Sequence, residues 1–394
     1  MENHPQTPML VTYTAPNRAH HYGYARALHK AGCLRAFVSG FSRFSPRAPM
    51  PELGDKLIRA DHLQNMYLAS MRLHLPECIS ADLAYRSKVW LDWKSERPAR
   101  ESDVFLFYSG AGFRTARRLK GTRTLRIVEA VNSHVLTQQR IMREEYARLG
   151  LRMAEFHSRE VARRVAEIES ADAILCPSEF VRDSFIEHGI EKERILKVPY
   201  GFEPQKAMRT SESQKPEFRV LYVGQISVRK GLRYLFQAFE ALRHPRKELC
   251  IVGPRASVTG IDDISPPAGT RFLGVLKGEA LSNAYQSSTV FVLPSIEEGL
   301  GLVAGEAMSF GLPVVTTVNT GTSDLFTQGI EGFQVPVRDP AAITEKLQML
   351  ADSPEMLARM SAASAERIRS ISSLEETGRK LVEVLRNAVY QFRK

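Results

Sequence analysis

The chain has 394 residues, of which 43% are hydrophobic and 25% charged, a composition typical of a soluble globular protein with room for two domains. It lacks an apolar run of the ~18 residues that a membrane helix requires, and its N-terminus has neither the basic region nor the apolar core of a signal peptide. Its four cysteines are far apart and form no Cys-x-x-Cys pair, which argues against a zinc site or a disulfide framework. We therefore expect a cytoplasmic protein.

The charge is unevenly distributed. Residues 1–200 contain 31 Lys and Arg against 23 Asp and Glu, a net charge of +8, whereas residues 201–394 carry +2. A basic first half is compatible with an anionic membrane surface, an anionic acceptor or a simply solvated surface. The basic residues are dispersed and accompany no nucleic-acid motif, so we expect no nucleic-acid partner. Peripheral contact with the inner face of a membrane stays open.

In chain order, short apolar runs alternate with helical stretches over residues 1–202, which predicts a doubly wound parallel sheet. The first run, residues 9–14, leads into a polar loop that contains Asn17, His20 and His21. Ligands bind at the carboxyl ends of parallel strands, so this loop is expected to face a cleft. The two histidines either contact a ligand there or cap the next helix.

Residues 45–100 are broken up by prolines and are the hardest part to interpret. Within them, residues 57–75 have the periodicity of an amphipathic helix. Its apolar face covers the domain, binds a hydrophobic acceptor or rests on a membrane, and the sequence does not decide among these. Further along, a buried strand is predicted over residues 125–131 and ends beside His134, which is placed either at the cleft or in a structural role.

A polar stretch without apolar periodicity, residues 203–216, predicts a linker. The second half then opens with a strand over residues 218–223, followed by Gly224, Gln225 and the basic pair Arg229 and Lys230. Cations on a loop at the carboxyl end of a strand are placed to bind phosphate, although a solvated pair is the alternative.

Residues 290–315, VFVLPSIEEGLGLVAGEAMSFGLPVV, predict a strand, an acidic glycine loop, a short helix and a second strand. A helix that begins near Gly301 directs unpaired N–H groups at an anion above the strand end. Glu298 and Glu306 would repel that anion unless they bind hydroxyl groups. Sugar hydroxyls on both sides of a diphosphate meet this condition, which indicates a nucleotide sugar; two solvated acids are the alternative.

With seven residues between them, Glu298 and Glu306 resemble the Glu-x7-Glu signature of retaining glycosyltransferases of family four. The resemblance implies the α/β fold known as GT-B, in which two Rossmann-like, doubly wound parallel-sheet domains face each other across a cleft. Residues 1–202 would form the acceptor domain, joined by the C-terminal helix 375–394. Residues 203–216 would be the linker and 217–374 the nucleotide-sugar donor domain.

The resemblance also implies residue roles. His134 and Glu298 would be catalytic and contact the transferred sugar, and Glu306 would hold the ribose. Gln225 stands where the family usually has an arginine, so Arg229 would supply the missing charge. The implied acceptor residues are Asn17, His20 and His21, and the implied donor residues are Gly224, Gln225, Arg229, Lys230, Val275, Leu276, Gly299, Leu300, Gly301, Leu302, Val303 and Glu306.

The implied activity is retaining, metal-independent transfer of a sugar from a UDP- or GDP-sugar to a hydroxyl acceptor, in glycan, polysaccharide or glycolipid synthesis. The nucleotide sugar is a substrate, so no cofactor is expected, and the chain contains no Asp-x-Asp motif that would suggest a metal. Two alternatives stay open: a nucleotide-sugar epimerase or phosphorylase of the same fold, and a non-catalytic scaffold subunit.

Overall fold

The computed structural model describes residues 9–73, 75–153, 158–202, 218–371 and 373–394. The predicted linker, residues 203–216, lies outside the described residues. On either side of it the chain forms an α/β domain with one parallel sheet. This architecture confirms the predicted fold class of two doubly wound domains.

The sheet of the first domain has seven strands in the order β3-β2-β1-β4-β5-β6-β7, and all neighbours pair in parallel. The central strands are buried on both faces, which explains their continuous apolar sequences. The strands are β1 (Val11–Ala15), β2 (Leu34–Ser39), β3 (Leu57–Arg59), β4 (Val104–Tyr108), β5 (Leu125–Glu129), β6 (Ala173–Cys176) and β7 (Ile195–Lys197).

Seven helices belong to this half of the chain: α1 (His21–Lys30), α2 (His62–Arg72), α3 (Glu77–Arg100), α4 (Phe113–Arg118), α5 (Val135–Arg148), α6 (Ser158–Ser170) and α7 (Glu179–Ile186). The prediction of one helix over residues 57–75 was wrong at its start. Leu57 pairs with Phe37 as part of β3, so strand pairing overrides the helical periodicity there. Helix α3, with 24 residues, was not predicted as a unit.

The second domain has a six-stranded parallel sheet in the order β10-β9-β8-β11-β12-β13. Its strands are β8 (Phe218–Val223), β9 (Lys247–Val252), β10 (Thr270–Gly274), β11 (Val290–Leu293), β12 (Val314–Thr317) and β13 (Gly332–Val335). Its helices are α8 (Leu232–Ala241), α9 (Glu279–Gln286), α10 (Leu302–Ser309), α11 (Pro340–Asp352) and α12 (Pro354–Ser370). β11, α10 and β12 form the strand, loop, helix and strand predicted for residues 290–315.

The last helix, α13 (Leu374–Phe392), returns to the first domain and packs against α1. The two helices approach so closely at Gly378 that a Cβ there would overlap the Cβ of Ala27. None of the helices in the described part of the chain combines the length and the apolar character needed to cross a bilayer.

Polar contacts join the two domains directly. Glu145 of α5 accepts hydrogen bonds from Tyr234 Oη (2.8 Å) and Arg338 Nε (2.6 Å) of the second domain. Asp324 of the second domain accepts from Lys197 Nζ (2.6 Å) and from the Glu179 amide (2.8 Å) of the first. These contacts hold the carboxyl ends of the two sheets opposite each other.

Candidate active site in the interdomain cleft

Each sheet reverses its strand order once, between β1 and β4 in the first domain and between β8 and β11 in the second. The loops that follow these strands diverge at the reversal and leave a crevice, which is the usual ligand site of open α/β sheets. The loop with His20 follows β1, the loop with Arg229 follows β8, and the loop with Glu298 follows β11. The loops that carry His20, Arg229 and Glu298 therefore border the two crevices.

Glu298 lies against the predicted phosphate-binding cations. Its Oε2 forms a close ion pair with Lys230 Nζ and lies 3.3 Å from Arg229 Nη1. Arg229 Nη1 also donates to the Glu297 carbonyl oxygen at 3.0 Å. The structure thus brings Glu298 to Arg229 and Lys230, which lie about 70 positions earlier in the sequence.

Burial disfavours the charged form of Arg229, Lys230 and Glu298. For Arg229 and Glu298 the charges of the neighbouring groups outweigh burial and set the direction of the pKa shift. Burial alone would raise the pKa of Glu298, yet the charges of Arg229 and Lys230 and their hydrogen bonds outweigh it, so the pKa is lowered. Burial lowers the pKa of Lys230, and the neighbouring Glu298 only partly restores it. The cluster therefore contains an ionised carboxylate that occupies two cations in the absence of a ligand.

Glu306 lies in α10, and its Oε2 accepts a hydrogen bond from Tyr285 Oη at 3.0 Å. The side chain remains accessible to solvent, but surrounding protein atoms displace part of the water around the carboxylate. This burial raises the pKa of Glu306, and the hydrogen bond from Tyr285 opposes the rise. A carboxylate so placed is suited to accept hydroxyl protons from a ligand.

The glycine loop between Glu298 and Glu306 is held in place by close contacts of its backbone. A Cβ on Gly299 would overlap the carbonyl oxygen of Val131, so the loop touches the first domain at a point where only glycine fits. The Gly301 amide donates to Thr320 O (2.9 Å) and the Leu302 amide to Leu300 O (2.8 Å). These two amides at the start of α10 are already hydrogen-bonded, which leaves a weaker anion site than the sequence suggested.

The other predicted donor residues lie after β8, after β10, on the loop after β11 or in α10. Gln225 is exposed directly after β8, and its carbonyl oxygen accepts from Tyr222 Oη at 2.8 Å. Gly224, beside it, is packed against the same hydroxyl. Val275 is exposed and Leu276 half-buried in the turn after β10, at the sheet edge. Leu300 is buried, while Leu302 and Val303 are half-buried in the first turn of α10.

Sequence reasoning missed Glu297, which joins the two domains inside the cleft. Its side chain is fully buried, and its oxygens accept from the Ser133 amide (3.1 Å), Ser133 Oγ (2.8 Å) and Gln138 Nε2 (2.9 Å) of the first domain. Arg229 Nη1 lies 3.5 Å away on the other side. The only signal in the sequence was its position beside Glu298, since its partners lie about 160 residues earlier.

His134 has a structural role in this arrangement. It is the N-cap of α5, where its Nδ1 accepts from the Leu136 amide at 3.3 Å, and its ring stacks on His188 at 4.1 Å between centroids. Burial, followed by the charge of His188, lowers the pKa of His134 to about 4, so the ring is neutral and able to accept. The role of His134 at the sugar stays a prediction.

Of the predicted acceptor residues, Asn17 is exposed on the loop after β1, whereas His20 and His21 point inward. His20 Nε2 lies 2.6 Å from Glu129 Oε1, and His21 Nδ1 lies 3.2 Å from Glu129 Oε2. Tyr13 Oη donates to the same carboxylate at 2.8 Å, and the ring of His20 stacks on Tyr200.

The ligand atoms of His20, His21 and Glu129 lie within 4.8 Å of one another, so they are a set that could hold a metal ion. His20 Nε2 is already hydrogen-bonded to Glu129 and His21 Nδ1 to Tyr13 Oη. Burial, followed by the charge of His21, lowers the pKa of His20 to about 4. The cluster is thus a buried hydrogen-bond network that fixes the start of α1. Its predicted contact with an acceptor stays a prediction.

Two facing Rossmann-like domains with ligand-type residues on the loops between them define the GT-B architecture. Structural comparison agrees. Sucrose-phosphate synthase of Thermosynechococcus elongatus superposes with a TM-score of 0.70 at 17% identity, over 98% of this chain and all of that one. HepE of Anabaena, solved in complex with UDP-glucose, gives a TM-score of 0.66 at 15% identity, over 96% of this chain and all of that one.

Residues 204–367 match the family described as Glycosyl transferases group 1, a range that includes Arg229, Lys230, Glu298 and Glu306. Sulfoquinovosyl transferase of Arabidopsis thaliana is 32% identical over 41% of this chain and 34% of its own length. A D-inositol 3-phosphate glycosyltransferase of Corynebacterium urealyticum is 28% identical over 59% and 61%. The chain spans about a third of the length of the first curated relatives that it matches.

Proposed function

We propose that this protein is a retaining glycosyltransferase that moves a sugar from a UDP- or GDP-sugar to a hydroxyl acceptor without a metal ion. The observation that carries the proposal is the cluster of Arg229, Lys230 and Glu298 in the cleft, with Glu306 on the adjoining helix. In this proposal, Arg229 and Lys230 would bind the diphosphate, and Glu298 and Glu306 would accept hydrogen bonds from the hydroxyls on its two sides. The match of residues 204–367 to group 1 glycosyltransferases supports the same proposal.

The ion pairs around Glu298 suggest how a donor would enter. A diphosphate carries more negative charge than one carboxylate, so it would take Arg229 and Lys230 from Glu298. The Glu298 carboxylate, released from these cations, would then accept hydrogen bonds from the hydroxyls of the transferred sugar. Glu306 would accept from the ribose, with Tyr285 holding it in place.

In the transfer step, the acceptor oxygen forms a bond to the anomeric carbon on the face from which the diphosphate departs. The bond between that carbon and the phosphate oxygen breaks, and the departing oxygen takes the acceptor proton. The negative charge that develops on the diphosphate is stabilised by Arg229 and Lys230. Enclosure of the reacting atoms between the domains keeps out water that would hydrolyse the donor.

The choice of donor is supported by a structural neighbour. HepE has been solved with UDP and with UDP-glucose, which favours a uridine nucleotide within the proposed pair. The acceptor is proposed to be a hydroxyl compound of the glycan, polysaccharide or glycolipid type. The net charge of +8 in residues 1–200 supports a cytoplasmic protein with peripheral contact to the inner face of a membrane.

Thermal unfolding in the presence of UDP, GDP and ADP tests the donor site. We expect one of these nucleotides to raise the Tm by several degrees, since saturating ligand adds about 3 kcal/mol at one hundred times its Kd. Glu306→Ala should abolish the rise, and Glu279→Ala, which removes an exposed acid of α9 in the same domain, should retain it. No rise with any nucleotide in folded protein would count against the donor site and favour the non-catalytic scaffold.

A further inference from the structure

Helices α2 and α3 form an antiparallel pair, here called the α2–α3 hairpin (residues 62–100), whose outer surface is unusually apolar. Met66, Met71, Leu73, Leu75 and Ile79 are each between 42% and 71% exposed. All of them except Met71 line a shallow cavity of about 610 Å³. Single exposed apolar residues are ordinary, but a contiguous group marks an interaction surface.

Where α2 meets the first half of α3, the contacts between the two helices are polar. Ser70 is the one buried side chain of α2 among those described, and its Oγ lies 2.9 Å from Ser80 Oγ of α3. A second contact between the helices joins Ser87 Oγ to Gln64 Oε1 at 3.2 Å. Hydroxyl and amide groups thus connect the helices here, while Met66, Met71, Leu73 and Leu75 are exposed, which is the reverse of a helix pair that packs on a core. Farther along α3, Leu91 is buried against the domain.

The position of the hairpin follows from its anchor to the sheet. Ser95 Oγ of α3 lies 2.7 Å from Thr14 Oγ1, near the carboxyl end of β1, and Ser102 Oγ lies 2.8 Å from Thr12 Oγ1. Helix α3 therefore runs antiparallel to β1, and residues 77–94 continue past the carboxyl end of the strand for about 27 Å at 1.5 Å per residue. The apolar tip projects from the same sheet edge that borders the cleft.

The charges next to the apolar surface are mainly positive. A second cavity of about 480 Å³ beside the hairpin is lined by Trp90 and Trp93, with Arg86, Arg114 and Arg159 at its rim. Among the described lining residues the one acid is Asp82, paired with Arg86 at 2.6 Å. Lys94 Nζ lies over both tryptophan rings, at 4.9 and 5.3 Å from their centroids. Tryptophan beside lysine and arginine, next to exposed leucine and methionine, is the composition of a surface that binds at a membrane interface.

We propose that the α2–α3 hairpin docks onto the surface of an anionic lipid bilayer, with its apolar tip among the acyl chains and its arginines and Lys94 at the headgroups. Two weak signals combine here, because neither the apolar side chains nor the cations alone hold a protein at a membrane. If the proposed function is correct, on which this step rests, docking brings the acceptor side of the cleft to the membrane surface.

Sedimentation with vesicles tests the proposal. The probes are vesicles of phosphatidylcholine alone and of phosphatidylcholine with 30% phosphatidylglycerol. We expect the protein to partition at least tenfold more strongly onto the anionic vesicles, and salt to weaken this binding. Equal partition onto both vesicle types, or onto neither, overturns the proposal.

The double variant Leu73→Gln, Ile79→Gln changes two exposed tip residues and should lower partition onto anionic vesicles at least tenfold. The matched control Ile330→Gln, Tyr390→Gln removes exposed apolar surface elsewhere on the molecule and should bind as the unchanged protein does. Equal binding by the hairpin variant overturns the proposal. The proposal is also overturned if light scattering shows that the unchanged protein is a dimer and the hairpin variant a monomer, since the apolar surface of the hairpin would then join two copies of the chain.

The donor site is judged separately in the same samples. The hairpin variant should retain the rise in Tm with nucleotide, because it changes no residue of the cleft. Loss of vesicle binding with retained nucleotide binding tests the hairpin alone, whereas an absent nucleotide effect in protein that binds vesicles counts against the proposed function and not against the docking surface.

Discussion

Glu297 is the residue whose removal should loosen the domain interface most. Glu297→Ala leaves the Ser133 amide, Ser133 Oγ and Gln138 Nε2 without their common acceptor in a buried place, and it removes one carboxylate from Arg229. Loss of one partner from a buried charged network costs about 3–5 kcal/mol. We expect the free energy of unfolding, measured by urea titration with circular dichroism and tryptophan fluorescence, to fall by this amount.

Glu144→Ala is the matched control, because Glu144 also contacts the other domain, through Arg338 Nη1 at 3.4 Å, but with about half of its side chain exposed. An exposed ion pair contributes about 0–1 kcal/mol, so this variant should be nearly as stable as the unchanged protein. Glu297→Gln, which keeps the shape and one acceptor oxygen, should fall between the two. If Glu297→Ala unfolds at the same urea concentration as Glu144→Ala, the reasoning about the buried carboxylate is refuted.

Two further predictions concern packing and pH. Gly305→Ala should destabilise the protein by about 1–3 kcal/mol, because a Cβ there would overlap the ring of Phe202. The control Gly23→Ala lies in α1, where an added Cβ meets no neighbour, and should stabilise the protein by about 0.5–1 kcal/mol. Equal effects of the two substitutions on thermal unfolding would contradict the close contact at Gly305. Burial alone would raise the pKa of Asp61, but hydrogen bonds from the Arg43 side chain and amide lower it from 3.8 to about 2. Ionised Asp61 therefore contributes at most about 2 kcal/mol of stability above pH 4, which is lost as the pH falls towards 2. The stability difference between the unchanged protein and Asp61→Asn should shrink over this interval, and a difference that is constant from pH 7 to pH 3 would rule out the shift.

The sequence alone was sufficient where the controlling interactions are local. The strand, glycine loop, helix and strand over residues 290–315 follow from apolar runs, the glycines and Pro313, all within a few residues of one another, and the structure contains them as predicted. The position of Arg229 and Lys230 on the loop after β8 likewise follows from the buried strand that precedes this loop, while their contact with a phosphate stays a prediction. The two doubly wound domains follow from the same alternation of short strands and helices.

The tertiary structure decided what depends on residues far apart in the chain. Glu297 is important because Ser133 and Gln138 meet it across the cleft. His20 and His21 face inward because Glu129, more than 100 residues later, lies within 3.2 Å of both. The amphipathic stretch near residue 66 left its apolar face unassigned, because periodicity shows that a face exists and not what it touches. Only packing shows that Ser70 and Ser80 meet between the two helices and that Met66, Met71 and Leu73 are exposed. Local backbone preferences are encoded within a few residues, whereas burial and charge pairing are properties of the folded chain.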